Sequence, residues 1–98
     1  MTITKTQEND KRNSALEGRL DTSTAPQLEA ELKSAIDGVK ELVFDITELE
    51  YISSAGLRVL LTAQKAMNKQ GKMTVKGASE AVMEIFEVTG FVDILNIE

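Results

Sequence analysis

Residues 42 to 61 constrain the fold more than any other segment of this chain. Leu42-Val43-Phe44-Asp45-Ile46 is nearly continuously apolar and is flanked by charged residues, which is typical of a central strand covered on both faces. A short acidic connection follows, then two serines and a glycine, and then an amphipathic segment that begins near Ser54. This order predicts a buried strand that leads through a short loop into a helix.

The amino-terminal part of the chain predicts a hairpin and a first helix. Short candidate strands occupy residues 2–7 and 13–18, and the polar cluster 8–13 between them predicts a hairpin turn. Residues 24–27 have the sequence of a capping box with proline in the first turn, which predicts a helix start. Apolar residues then recur at helical spacing, and Gly38 is expected to end the helix.

The rest of the chain continues the alternation of helix and strand. We expect a second helix from about Ser54 to Gln70, a short strand at 73–75, and a third helix capped by Ser79 and stopped by Gly90. The tail, 92–97, is expected to form one more turn or a final short strand.

The order ββαβαβα predicts the fold class. It indicates an α/β fold: a single small domain, residues 1–98, with an open, mixed and partly parallel sheet of four to five strands and helices packed on it. In such sheets, partners usually meet the loops beyond the carboxyl ends of parallel strands. Two loops qualify, 18–24 and 48–56, and they form one surface if their strands are neighbours.

The composition removes most enzyme classes. The chain has no cysteine and no histidine, so disulfides, thiolate zinc sites and Ser-His-Asp catalysis are excluded. No glycine-rich phosphate loop and no metal-ligand spacing is present, and Asp45, Glu48 and Glu50 match no metal-binding pattern. We therefore expect no catalytic residues, no metal and no cofactor.

The charge pattern argues against two classes of partner. The net charge is −5, whereas nucleic-acid binding needs clustered lysine and arginine. No apolar run approaches the length of a membrane span, and the amino terminus has no signal-peptide core. We expect a cytoplasmic protein that binds no nucleic acid and does not insert into a membrane.

Three segments resemble one known family. Glu41-Leu42-Val43-Phe44-Asp45-Ile46, Tyr51-Ile52-Ser53-Ser54-Ala55-Gly56-Leu57 and Gly18-Arg19-Leu20-Asp21 are similar to the STAS domains, and the likeness covers essentially the whole chain. At this length the chain looks most like a bacterial anti-sigma factor antagonist. The resemblance implies partner switching, in which the antagonist binds an anti-sigma factor that is also a serine kinase and so frees a sigma factor. Phosphorylation by that kinase separates the pair, and a serine phosphatase reverses the modification.

The family's Asp-Ser-x-Gly-Leu pattern places the phosphorylated serine at Ser54, with Gly56 and Leu57 in the glycine and leucine positions. Ser53 stands where the commonest form of the motif has aspartate, which makes Ser53 a rival acceptor. The expected partner-binding residues are Asp21, Thr22, Ser53, Ala55, Gly56, Leu57 and Arg58.

Simpler structural roles remain open for these residues. Ser53 or Ser54 is also a preferred helix N-cap, Asp21 a turn residue, and Arg58 a solvated side chain. Gly56 equally suits a helix start packed closely on a strand. Two other function classes also remain: a STAS-like binding subunit of a membrane transport complex that is never phosphorylated, and an enzyme based on carboxylates or lysines.

Overall fold

The computed structural model describes all residues from 1 to 98, which form four strands and three α-helices in the predicted order. The strands are β1 (Thr2–Glu8), β2 (Lys11–Leu20), β3 (Glu41–Ile52) and β4 (Lys72–Lys76). The helices are α1 (Ala25–Ala35), α2 (Ser54–Gln70) and α3 (Glu80–Thr89), and a 3₁₀ turn spans Phe91–Asp93. The α/β class predicted from the sequence is confirmed.

The four strands form one mixed sheet in the order β1-β2-β3-β4. β1 is antiparallel to β2, while β2, β3 and β4 run parallel to one another. α1 and α2 are the crossovers between neighbouring parallel strands, so both helices begin at the edge where those strands end. The tail forms both predicted features, the 3₁₀ turn and a parallel bridge from Ile97 to Val75 beside β4.

One hydrophobic cluster of 21 buried residues joins the helices to a single face of the sheet. It combines β3 residues such as Phe44 with residues of all three helices, including Leu28, Leu60 and Phe86. Val43, which points to the other side of β3, lies outside the cluster. All three helices therefore pack on one face of β3, whereas on the other face Val43 is also buried, at 7% exposure, without belonging to that cluster.

The hairpin between β1 and β2 is tighter than the sequence suggests. Glu8 pairs with Lys11, so only Asn9 and Asp10 form the loop. Asn9 has a φ of 56°, a left-handed conformation that asparagine tolerates better than most residues. The polar residues that follow continue in β2, because pairing with β1 and β3 satisfies their backbone groups.

α1 begins at the predicted position without the predicted capping box. The Thr24 hydroxyl donates a hydrogen bond of 2.8 Å to the Arg19 carbonyl, and the side-chain amide of Gln27 donates to the Met1 carbonyl at 3.4 Å. The helix also ends before Gly38, with Ile36 as its C-cap. The Ile36 carbonyl accepts hydrogen bonds from the Gln70 side chain at 2.7 Å and from the Val39 backbone amide at 3.2 Å, so the end of the helix is satisfied without a glycine cap.

β3 continues through the segment predicted to be an acidic loop. Glu48 and Glu50 are exposed strand residues, and Glu48 is paired with Glu17 of β2. Asp45 lies within the strand, where its carboxylate accepts hydrogen bonds from the Thr47 hydroxyl at 2.6 Å and the Thr47 amide at 3.1 Å. The connection to α2 is thereby reduced to Ser53.

Candidate functional site

The two candidate loops meet at one edge of the sheet, as expected for neighbouring parallel strands. Leu20, at the end of β2, is paired with Ile52, at the end of β3. The backbone amide of Ser53 donates a 2.8 Å hydrogen bond to the Leu20 carbonyl, which joins the two chain segments directly. The starts of α1 and α2 therefore lie on one surface, which we call the switch edge: residues 21–24 and 53–58.

The two adjacent serines of the switch edge have different environments. Ser53 has extended backbone angles and its hydroxyl accepts a 3.3 Å hydrogen bond from the Gly56 amide, so it is the N-cap of α2. Ser54 is the first residue of the helix and is exposed. The Ser54 hydroxyl forms no hydrogen bond within the protein, whereas the Ser53 hydroxyl does. Ser53 is therefore the cap of α2, and the Ser54 hydroxyl is exposed and unbonded within the protein.

Gly56 and Leu57 are both buried, so a partner at the surface does not contact them directly. A Cβ atom on Gly56 would lie 2.7 Å from Leu20 Cγ and 2.9 Å from Ile52 Cγ1, closer than such atoms approach. Glycine at this position lets the first turn of α2 lie against the ends of β2 and β3. Leu57 belongs to the hydrophobic core. These two predicted partner residues therefore support the switch edge by packing beneath it, and their exposed neighbours form its surface.

Asp21 organises the turn that precedes α1. Its carboxylate accepts hydrogen bonds from the Ser23 hydroxyl at 2.7 Å, the Ser23 amide at 3.0 Å and the Thr24 amide at 3.2 Å. The Ser23 hydroxyl, followed by the two backbone amides, holds the pKa of Asp21 below its ordinary value. Asp21 is only half-buried and Thr22 is exposed, so both stay accessible beside the Ser54 turn.

Two basic side chains lie at the switch edge, Arg58 within it and Arg19 beside it. Arg58 is exposed and lies one helical turn after Ser54, which puts the two residues on the same side of α2. Arg19 stacks over the Tyr51 ring, with 4.5 Å between the guanidinium carbon and the ring centroid. Its Nε also lies 3.8 Å from the Asp21 carboxylate.

The Arg19–Tyr51 stack is a site feature that sequence reasoning missed. The two residues are brought level by register shifts between Ala15 and Glu17 and between Gly18 and Arg19. Their aromatic and basic character was the only available signal, because strand register cannot be deduced from either segment alone.

The arrangement provides hydroxyls, a helix amino terminus and nearby cations. No group of three or more acidic side chains is placed to hold a metal ion. None of the helices combines the length and the apolar character that crossing a membrane requires. A phosphoryl group on Ser54 would meet the positive end of the α2 dipole and the Arg58 guanidinium, and both favour negative charge.

Comparison with known proteins finds one family over nearly the whole chain. The family model described as the STAS domain matches residues 5–98. The BtrV protein of Bordetella bronchiseptica, which is named as an anti-sigma factor antagonist, is 40% identical over 84 residues, covering 84% of this chain and 72% of that protein. The anti-sigma-B factor antagonist of Listeria monocytogenes is 35% identical over 85 residues, covering 83% and 73%.

Solved structures agree with the fold. The anti-sigma factor antagonist SpoIIAA in its unphosphorylated form aligns with 99% of this chain and 87% of its own, at a TM-score of 0.79. The sequence identity is 16%, so this likeness concerns the fold alone. The open mixed sheet with three helices is the arrangement shared by both proteins.

Proposed function

The chain belongs to the STAS domain family, and from that premise we propose that it is a cytoplasmic anti-sigma factor antagonist switched by phosphorylation of Ser54. In its unmodified form it binds an anti-sigma factor that is also a serine kinase, and so releases a sigma factor. Phosphorylation of Ser54 by that kinase ends the binding, and a serine phosphatase restores it. The chain itself acts as a binding protein and catalyses no reaction.

The different environments of the two serine hydroxyls support this proposal most strongly. Ser53 is committed to the N-cap, whereas the Ser54 hydroxyl is exposed and unbonded. A kinase can phosphorylate Ser54 without first breaking a hydrogen bond of the folded protein. Transfer to Ser53 would instead remove the cap from α2.

The residues of the switch edge are placed to form a partner-binding surface around Ser54. Asp21, Thr22, Ala55 and Arg58 lie around Ser54, and the Leu20–Ser53 hydrogen bond fixes the two loops relative to each other. A partner packed on this surface would bury the Ser54 hydroxyl. A phosphate carries about −1.5 to −2 charges near neutral pH, so burying it at that position is costly.

Phosphosite mapping of the protein isolated from its native cells, under growth and under stress, tests the proposal. We expect phosphate on Ser54 with an occupancy that changes between the two conditions. In vitro, Ser54→Ala should abolish phosphate incorporation by the anti-sigma factor kinase, while Ser53→Ala should retain it. An unmodified chain in every condition would instead indicate a permanently bound STAS subunit, as in a transport complex.

A further inference from the structure

α2 has a charge opposite to that of the rest of the chain. Between Glu50 and Glu80 the sequence has no acidic residue, although the chain has 16 acidic residues and a net charge of −5. α2 itself has three basic residues, Arg58, Lys65 and Lys69. We call these three residues the basic stripe.

The basic stripe occupies one side of α2 and is free of internal partners. At 100° per residue, Arg58, Lys65 and Lys69 fall on the same side of the helix as Ser54. All three are exposed, and none takes part in an ion pair. Five other basic residues of the chain form ion pairs, namely Lys5, Lys11, Arg12, Arg19 and Lys33, and the remaining unpaired lysines, Lys40, Lys72 and Lys76, lie outside α2.

Helix stability explains only part of this pattern. Lys69, in the last turn of α2, interacts favourably with the helix dipole. Arg58 lies in the second turn, near the positive end, where the dipole gives a cation no stabilisation. An acidic neighbour at helical spacing would have compensated each charge, and α2 has none.

An apolar groove runs beside the stripe, between α1 and α2. It has a volume of about 190 Å³, and its apolar lining consists of Leu32, Ile36, Val59, Ala63 and Ala66. Glu29 and Lys33 of α1 also line it, and these two opposite charges pair with each other at 3.3 Å. Thr62 lies on its rim, between the groove and the basic stripe. Because α1 and α2 both begin at the switch edge, the groove extends away from that edge along the outer surface of the helix layer.

We propose that the basic stripe and the groove together dock an acidic, amphipathic segment of the protein partner. Carboxylates of that segment pair with Arg58, Lys65 and Lys69, and its apolar side chains enter the groove. The surface does not suit nucleic acid, because it has only three cations in a chain that is acidic elsewhere. The inference rests on the proposed function in one respect: it gives the chemistry of the partner that Ser54 controls.

This placement gives the phosphate a second action. Ser54 lies at the amino-terminal end of the stripe, one turn from Arg58. Phosphate there pairs with Arg58 and repels the carboxylates of the docked segment. Phosphorylation therefore weakens the dock electrostatically as well as blocking the switch edge.

Charge reversal at two places in the chain distinguishes binding at the basic stripe from a general effect of net charge on partner binding. We compare Lys65→Glu/Lys69→Glu with Lys72→Glu/Lys76→Glu, whose lysines are also exposed and form no ion pair but lie beside Val43 and Thr74 on the sheet face opposite the helices. Both variants change the net charge equally. Binding to the purified anti-sigma factor should fall about tenfold or more for the α2 pair and stay near wild type for the control pair. Equal losses would overturn the proposal, and thermal unfolding of both variants verifies that they are folded.

An NMR titration of the unmodified chain tests the dock without the natural partner. The probes are a synthetic amphipathic helix of leucine and glutamate and its counterpart with lysine in place of glutamate. Only the acidic peptide should shift amides around Arg58, Lys65 and the groove, and the shifts should weaken with added salt. Equal shifts with both peptides, or stronger binding of an oligonucleotide, would overturn it. If the anti-sigma factor does not bind the wild-type chain, the proposed function is rejected. The peptide titration would still show whether the basic stripe and the groove bind an acidic amphipathic segment.

Discussion

The Ser53 amide donates a 2.8 Å hydrogen bond to the Leu20 carbonyl, and this single contact ties the start of α2 to the end of β2. It places the loop that begins at Asp21 against the turn that presents Ser54. Both residues of the hydrogen bond belong to rigid elements, since Leu20 is fully buried and Ser53 caps a helix. A partner therefore meets a preformed surface and need not order a flexible loop on binding.

Replacing Ser53 by alanine should destabilise the fold, whereas replacing Ser54 should not. Ser53→Ala removes the hydrogen bond from the Gly56 amide to the cap, which is expected to cost about 1 kcal/mol. Ser54→Ala removes an exposed hydroxyl without an internal partner, so its free energy of unfolding should match the wild type. Urea unfolding of the two variants measures the difference. Equal losses would show that the two serines share the cap.

Gly56→Ala should destabilise the protein although alanine is the better helix former. Helix propensity favours the alanine by about 1 kcal/mol. The new methyl group would, however, lie 2.7 Å from Leu20 Cγ and 2.9 Å from Ile52 Cγ1, both in fully packed side chains. We expect the overpacking to outweigh the propensity and to give a net loss of about 1–2 kcal/mol. Thr62→Ala, at an exposed position of the same helix, is the control and should change stability little. A stabilised Gly56→Ala variant would contradict the close packing.

The particular elements that sequence reasoning placed well are those with local signals. α3 has a serine cap at Ser79 and a left-handed glycine at Gly90, and both functions can be deduced from a few adjacent residues. Similarly, the second helix, expected from about Ser54, begins at Ser54. The order of elements follows from such signals, and the shared surface of the two loops follows from that order.

Features set by contacts between distant residues could not be predicted in this way. β3 extends to Ile52 because β2 pairs with its acidic half, and no local pattern of Glu48 and Glu50 indicates such pairing. The capping box at Thr24 does not form because Thr24 has helical backbone angles and its hydroxyl accepts a 2.8 Å hydrogen bond from the Asp21 amide while it donates to the Arg19 carbonyl, five residues earlier. The choice between Ser53 and Ser54 as cap likewise depends on backbone angles that only the structure supplies.

An ion-pair network between β1, β2 and α1 should make stability depend on pH. Glu31 accepts a 2.7 Å hydrogen bond from Lys5 and also pairs with Arg12, whose side chain is 8% exposed. The Lys5 hydrogen bond, together with the charges of Lys5 and Arg12, holds the pKa of Glu31 below its ordinary value. Because the folded pKa is the lower one, the stabilisation is complete above the unfolded value. It is lost as the pH falls through the folded value.

Glu31→Gln tests this network. The variant leaves the nearly buried Arg12 guanidinium without its carboxylate, so it should lose about 2 kcal/mol near neutral pH. The loss should shrink below about pH 4, where the wild-type carboxylate is also becoming protonated. Urea unfolding from pH 7 to pH 3 measures both effects. Glu29→Gln, which removes an exposed carboxylate paired only with Lys33, is the matched control and should be nearly neutral. A pH-independent difference between Glu31→Gln and the wild type would contradict the assignment.

Phosphorylation of Ser54 should leave the fold intact. The phosphate enters at the first residue of α2, where the helix dipole favours an anion by about 0.3–1 kcal/mol, and Arg58 lies one turn away. The modified side chain begins in solvent, so no core contact has to break. Hydrogen exchange of the phosphorylated and unmodified protein should therefore show equal protection in β2, β3 and α1, with changes confined to the first turns of α2. Widespread loss of protection would mean that the modification acts by unfolding the domain. In that case Ser54→Asp would lower the free energy of unfolding as well as partner binding.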